Sequence, residues 1–370
     1  MFKVIVTFSF CLLLLGCATE TTNTVKSNSL SKYEIEDQLI KRVRIDKRLK
    51  ALGYKFNTKF YDKCKKKKKY IGLSLISKKE IKRQLSGSNE NFMSFGGLVK
   101  KNIAAYENIV GSLDTLKVIY SLPESPAAKI GIKKGDQILK VNGSFVATTL
   151  NFFNAIEKNK DTNITIKRNG SILDFKIPQT LTCDFNYESF TTLEKKIVFF
   201  RSGNTLFISN TLLDYLKNDD ELAMIFANEF AHYINGHPSL KSDIVSLKDS
   251  ILFSDMWKPF GGFVFSGGKT ALGFMEKVKF RYSKDQEGLA DFSSIKLTKM
   301  LGYNANKAKL FWERLVKEKP SNNMIAKFRD VDSNKIRIIN YTLDDASKEF
   351  PTKLNYDKFL NNNSLWKKVY

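Results

Sequence analysis

Three polar residues, Asn228, Glu229 and His232, stand together inside an otherwise apolar segment. Residues 218–237 read NDDELAMIFANEFAHYINGH, with apolar residues at helical spacing, capping residues at the start and a glycine near the end. Side chains at positions i and i+4 of a helix face the same way. His232 can bind a metal ion there and Glu229 can polarise a metal-bound water. Asn228 would supply only a neutral amide oxygen, which is a poor zinc ligand.

The pattern resembles the HExxH motif of zincin metallopeptidases, with asparagine at the first histidine. The longer stretch DDELAMIFANEFAHYINGH resembles the DELAxxxxHExxHxxxGH helix of the HtpX and CAAX-prenyl-protease type of metallopeptidase. Downstream, DQEGLAD at residues 285–291 resembles the QExxAD segment of that family. The resemblance covers residues 180–340. It implies that Glu287 is the third zinc ligand and that Asp291, one turn further, orients a ligand from the second shell.

This resemblance implies zinc as the cofactor, held by His232 and Glu287 with weak help from Asn228, and Glu229 as the catalytic base. Two departures bear on activity. The first is Asn228 itself. The second is the stretch 331–334, which lacks the histidine that the family has near a later His-Pro motif. The alternative is therefore a pseudoprotease in which the same residues are only scaffold.

The chain has only two histidines. The second, His237, follows His232 by five residues and lies past the expected helix end, off the face that carries His232. We expect His237 to be structural.

A second resemblance lies in the middle of the chain. Residues 125–143 follow the pattern SPAAxxGIxxGDxILxVNG, which resembles a bacterial PDZ domain. A helix at 149–158 and strands near 163–168 and 172–177 complete it. The resemblance implies binding of an extended peptide, often a C-terminus, as an added strand beside one helix.

The carboxylate-binding loop of this PDZ-type domain is expected at Tyr70, Ile71, Gly72 and Leu73. The adjacent lysine run 65–69 would attract a peptide carboxylate. On this choice, residues 74–116 are an insertion. Phe95-Gly96-Gly97-Leu98 is the competing candidate.

The N-terminus reads MFKVIVTFSFCLLLLGC, a short apolar run typical of a secretory signal. Its end resembles a lipobox, which implies that residues 1–16 are removed and that Cys17 is lipidated. Ala18 is not the aspartate that retains lipoproteins in the inner membrane. We therefore expect an outer-membrane lipoprotein facing the periplasm.

Cys64 and Cys183 would be the cysteines left after processing and lipidation. In an oxidising compartment such a pair favours a disulfide, with two free thiols as the alternative.

The formal charge of +23 permits nucleic acid, anionic lipid or acidic partners. The expected compartment disfavours nucleic acid. Two explanations of the positive charge are left: contact with anionic lipid that adds to the lipid anchor, and a bias in amino-acid composition.

We expect an α+β protein in which a PDZ β-sandwich precedes a mainly α-helical zincin-type domain with a small β-hairpin. The expected segments are a signal peptide (1–16), a lipidated tether (17–31), an N-terminal helical region (32–69, with a helix ended by Gly53), the PDZ domain (70–180), the metallopeptidase-like domain (181–345) and a tail (346–370).

The expected function is that of a membrane-anchored periplasmic metalloendopeptidase whose PDZ domain recruits unfolded or C-terminal peptide segments of envelope proteins. The alternative is an inactive, peptide-binding quality-control factor.

Overall fold

The computed structural model describes residues 32–79, 81–82, 96–157, 161–190, 197–239, 282–318 and 333–344. The expected signal peptide, Cys17, the tether and the C-terminal tail lie outside the described residues. Within these ranges, no helix combines the length and apolar character needed to cross a membrane.

The described helices are α1 (Lys32–Lys59), α2 (Gly96–Val110), α3 (Pro126–Lys129), α4 (Thr149–Glu157), α5 (Asn210–Tyr215), α6 (Asp219–Ile234), α7 (Lys284–Met300), α8 (Ala305–Glu318) and α9 (Ser333–Asp344). The described strands are β1 (Lys67–Tyr70), β2 (Leu73–Ile76), β3 (Leu116–Ser121), β4 (Gln137–Val141), β5 (Ser144–Phe145), β6 (Asp161–Arg168), β7 (Ser171–Pro178), β8 (Thr180–Cys183), β9 (Asn186–Phe190), β10 (Phe199–Ser202) and β11 (Thr205–Ser209). A strand-rich first half and a helical second half confirm the expected α+β class.

The middle of the chain forms a six-stranded antiparallel sheet in the order β2–β3–β4–β6–β7, with β5 paired to β4. Phe152 and Ile156 of α4 are buried in one apolar core with strand residues such as Ile138 and Ile164. Burying such side chains contributes about 1.5–3 kcal/mol each. Helix α4 is therefore held on the sheet by its apolar face.

Turn residues shape this sheet as the sequence predicts. Gly135 has φ +85° before β4, and Asn142 and Gly143 have φ +50° and +81° after it. Those left-handed conformations suit glycine and asparagine in tight hairpin turns. Arg168 at the end of β6 donates to the buried Asp136 from Nε at 2.6 Å, which ties the turn before β4 to its neighbouring strand.

Strand β2 begins the PDZ-type sheet, so the insertion expected from residue 74 begins only after Ile76. Hydrogen bonding of β2 to β3 keeps these residues in the sheet. The insertion includes α2, which packs against α1.

A two-stranded ribbon carries the chain into and out of the PDZ-type sheet. Strands β1 and β8 pair antiparallel with Lys67 opposite Cys183. The structure joins Cys64 to Cys183 in a disulfide with a Cα–Cα distance of 5.5 Å. The covalent loop encloses the whole PDZ-type sheet.

Helix α1 does not end at Gly53, as expected, but continues to Lys59. A Cβ at position 53 would overlap the ring of Tyr187. The glycine thus permits close packing between α1 and β9 rather than stopping the helix. Leu49 and Phe56 of α1, and Phe60 just after it, are buried in the same core as the helical second half. The N-terminal helical region is therefore part of that second domain.

The helical half is built around α6, which packs against α7 and α8. The expected hairpin is present as β10 and β11, and β9 joins it in parallel as an unexpected third strand. The order β10–β11–β9 leaves β10 and β9 at the sheet edges among the described strands. Aromatic rings cross the core, including Tyr187 stacked on Phe226 with centroids 4.5 Å apart.

Candidate functional site

Helix α6 is anchored at its first turn by two contacts. The side chain of Asn218 caps the helix by accepting from the backbone N–H of Glu221 at 3.0 Å, which satisfies one of the free donors of the first turn. Glu221 is buried and pairs with Arg314 of α8 at 2.6 Å. These contacts fix the rotation of α6 about its axis.

Asn228, Glu229 and His232 are all at most 1% exposed on α6. Helix α7 supplies the facing residues and begins with a capping box between Ser283 and Gln286. That cap fixes the first turn, which carries Glu287. The sequence-predicted residues of the two helices therefore come together in one place.

The facing groups make two direct contacts. The Nε2 atom of His232 lies 3.8 Å from Oε2 of Glu287. The amide Nδ2 of Asn228 donates to Oδ1 of Asp291 at 2.8 Å. Two ligand atoms of one zinc ion, each about 2.0–2.2 Å from the metal, can lie at a separation close to the first distance. Asn228, by contrast, directs its amide donor to Asp291.

Lys335 of α9 is a site residue that sequence reasoning missed. Its ammonium forms an ion pair with Asp291, lies 3.9 Å from Oε2 of Glu287 and is 4.4 Å from the ring centroid of Trp312. The side chain is buried. The position of Lys335 in the sequence could have indicated this role. The residue directly follows the stretch 331–334, which lacks the later histidine of the family that this region resembles.

His237 is also closer to the site than expected. Helix α6 ends at Ile234 and Gly236, with φ +67°, turns the chain back. The backbone N–H of His237 then donates to the carbonyl of His232 at 3.0 Å, and the two Nδ1 atoms lie 2.9 Å apart. One ring must donate and the other accept across that contact. His237 thus contacts the candidate ligand, although it lies off the helix face.

Burial controls the charge states here. It lowers the pKa of His232. Burial, together with the nearby His232 and Arg201, lowers the pKa of His237 to about 4. Burial acts to raise the pKa of Glu287, but the facing His232 ring and the charge of Lys335 outweigh it and hold that pKa below its usual value. At neutral pH both imidazoles are therefore neutral and Glu287 is a carboxylate.

The described residues do not fit a zinc ion held by three strong protein ligands. No group of three or more His, Cys, Asp or Glu residues is placed to hold a metal in the ranges given above. His232 and Glu287 offer two donors, Asn228 is engaged with Asp291, and the Lys335 ammonium stands 3.9 Å from the Glu287 carboxylate. A cation there would be repelled by that ammonium.

The candidate peptide loop connects β1 to β2. Gly72 has φ +81°, and its carbonyl accepts from Leu122 N–H at 2.8 Å. The carbonyl of Ile71 accepts from Ala127 N–H at 3.0 Å. Burial raises the pKa of Tyr70 to about 12. In the competing stretch, Phe95 lies outside the described residues, and positions 96–98 begin helix α2 instead of a loop entering the sheet.

Comparison with known proteins agrees with these two regions. Residues 194–342 match the model of peptidase family M48, and residues 71–178 match that of the PDZ domain. Several solved structures resemble part of the chain, including the following two. One is the HtrA3 PDZ domain bound to a phage-derived ligand, FGRWV, with 20% identity, 31% of this chain and 88% of that chain covered, and a TM-score of 0.22. The other is the HtrA-type protease AlgW with a decapeptide, with 17% identity, 31% and 30% coverage, and a TM-score of 0.21. No curated protein matches. The chain thus carries a PDZ domain followed by a domain of peptidase family M48.

Proposed function

We propose that this protein captures extended peptides through its PDZ domain at the periplasmic face of the envelope, and that its M48 domain is a peptidase scaffold that does not hydrolyse them. The observation that carries this proposal is the Asn228–Asp291–Lys335 contact chain in the M48 domain.

Strand β2 supports peptide capture. It lies at the end of the described PDZ sheet, hydrogen-bonded to β3 alone among the described strands. An edge strand offers backbone donors and acceptors to an added strand. Helix α4 presents two exposed apolar side chains, Leu150 and Phe153, which can pack against alternate side chains of a bound peptide.

The charges of the M48 site support capture without hydrolysis. In a zincin the metal neutralises its carboxylate ligand and activates water. Here the Lys335 ammonium lies against both Asp291 and Glu287 and already compensates one of their two negative charges. An ammonium is not a Lewis acid, so it cannot coordinate and activate a water molecule as a zinc ion does.

The second candidate is a zinc metalloendopeptidase of the HtpX type. The match to peptidase family M48, buried Glu229 and the 3.8 Å approach of His232 to Glu287 favour it. Zinc would then be held by His232 and Glu287 with weak help from Asn228, and Glu229 would act as the base.

The proposed location rests on Cys17 and on the disulfide. A lipidated Cys17 would anchor the chain to the outer membrane, and the Cys64–Cys183 disulfide suits an oxidising compartment. The proposed partners are unfolded or C-terminal segments of envelope proteins.

Replacing Gly72 tests the groove. Gly72→Ala places a methyl group against the side chain of Ser125, which caps α3, and requires a left-handed conformation that costs an L-residue about 1–2 kcal/mol. We expect peptide affinity to fall at least about tenfold, measured by fluorescence anisotropy with labelled decapeptides.

Gly170→Ala is the matched control. It has φ +86° in the β6–β7 turn with open space around a new Cβ, so it carries the same backbone cost away from the groove. Equal losses of affinity in both variants, or none in Gly72→Ala, would contradict peptide binding at this loop.

A further inference from the structure

One face of helix α1 is exposed along the length of the helix. Its exposed residues recur at helical spacing, which places them on a single stripe. The stripe contains Tyr33, Asp37, Ile40, Arg44, Lys47, Lys55 and Lys59. The opposite face is buried in the core of the helical half through residues such as Leu49 and Phe56. A helix of 28 residues is about 42 Å long, so the stripe is a long exposed surface.

The stripe lies in the most basic part of the described chain. Four of its seven residues are Arg or Lys, and only Asp37 is acidic. Residues 41–67 contain 12 Lys or Arg and 2 acids, Asp46 and Asp62. The segment continues past the helix end with the exposed residues Lys63, Lys65, Lys66 and Lys67. Such a concentration of positive charge attracts an anionic surface.

The basic residues beside the stripe are paired, whereas those on the stripe are not. Lys41 lies 3.5 Å from Asp214, and Arg48 lies 2.6 Å from Asp219. Both acids belong to the helical half, so these pairs attach α1 to it. Within the described ranges, three residues of the stripe form no ion pair, namely Arg44, Lys47 and Lys59. The described part of the chain therefore leaves the charge of the stripe uncompensated.

Two large apolar side chains lie on the same stripe, near its start. Tyr33 is 83% exposed and Ile40 is 39% exposed. At a bilayer surface the ring of a tyrosine is stabilised at headgroup level, and an apolar side chain is removed from water. Nucleic acid offers phosphates to the basic residues but no apolar layer to Ile40. The combination of charge and apolar side chains therefore favours a bilayer.

The position of α1 in the chain agrees with this partner. Its first residue, Lys32, follows the proposed anchor Cys17 by 15 residues, which span at most about 50 Å. We propose that the stripe lies on an anionic phospholipid bilayer, with its basic residues facing lipid phosphates and Tyr33 and Ile40 entering the headgroup region. The helical half, packed on the opposite face of α1, then points away from the membrane. This inference goes beyond peptide capture and does not depend on it.

Vesicle flotation tests this with the full chain carrying Cys17→Ala, which lacks the proposed lipid site. Binding to vesicles that contain phosphatidylglycerol is compared with binding to vesicles of phosphatidylcholine alone. The apolar N-terminal run would bind both kinds equally. We expect the anionic vesicles to bind at least about tenfold more tightly, with a difference that salt reduces. The triple change Arg44→Gln/Lys47→Gln/Lys59→Gln should lower that binding at least about tenfold, since each basic residue adds to the attraction.

Lys129→Gln/Lys133→Gln/Lys134→Gln is the matched control, because it removes the same charge from exposed residues of the PDZ domain. It should lower the binding far less. Thermal melts show whether both triple variants are folded. Equal losses in the two variants, or equal binding to both kinds of vesicle, would overturn the inference.

Tryptophan fluorescence shows which surface meets the bilayer. Ile40→Trp should be quenched by vesicles that contain brominated phosphatidylglycerol. Phe145→Trp replaces a residue of the PDZ domain that is 79% exposed and should be quenched no more than the background of the three native tryptophans. Quenching of Phe145→Trp but not of Ile40→Trp would overturn the inference. Binding of duplex DNA at physiological salt without binding of anionic vesicles would also overturn it. None of these outcomes bears on peptide affinity.

Discussion

The double variant Asn228→His/Lys335→Met should bind zinc about 100-fold more tightly than the unaltered protein. A histidine at 228 lies four residues before His232 on α6, so both imidazoles would face Glu287. Removing the ammonium that lies 3.9 Å from that carboxylate removes the repulsion of the metal. Binding of a full ligand set is worth roughly 10–16 kcal/mol, so one added ligand contributes on the order of 3 kcal/mol, or about two orders of magnitude.

Zinc titration followed by calorimetry, with the metal content per chain from native mass spectrometry, measures this effect. Asn228→His/Lys309→Met is the control, because Lys309 pairs with Glu313 on α8 and not with the site. It should gain less affinity than the first double variant. An unaltered protein that already holds one zinc as tightly as the double variant would contradict the charge argument and favour the metalloendopeptidase.

Replacing both Cys64 and Cys183 by alanine should lower the free energy of unfolding by about 4 kcal/mol. The disulfide closes a loop with a sequence separation of 119, and the loss of loop entropy in the unfolded chain grows with loop length. The bond also joins the segment between α1 and β1 to β8, next to the PDZ sheet, so peptide affinity should fall with stability.

Urea unfolding with and without a reductant measures this effect. Reductant should destabilise the unaltered protein and leave the double alanine variant unchanged. An unaltered protein whose midpoint does not respond to reductant, and whose thiols react with a labelling reagent while it is folded, would contradict the disulfide.

Motifs made much of this architecture predictable. The turn residues around β4 and the apolar spacing of α6 are local signals, because each depends on backbone conformation or on one helix face. Glu287 was predictable as a neighbour of His232 only through its family resemblance. The fold brings the two within 3.8 Å from different helices.

Other features depend on packing that no local pattern records. In the sequence, Gly53 predicts the end of a helix. In the fold it lies inside α1, where the ring of Tyr187 occupies the space that a side chain at position 53 would need. Lys335 belongs to no motif and enters the site through the packing of α9 on α7. The five-residue spacing predicts that His237 lies off the helix face that carries His232. The turn at Gly236 nevertheless brings the two imidazole rings into contact.

One anisotropy titration tests peptide capture without cleavage most directly. Labelled decapeptides with free C-termini are titrated with the full chain, with and without EDTA, and the peptide mass is read at the end. The proposed function predicts saturable binding with the same affinity in both conditions and intact peptides throughout. Cleavage that EDTA abolishes and that Glu229→Gln also removes would contradict it and establish the metalloendopeptidase.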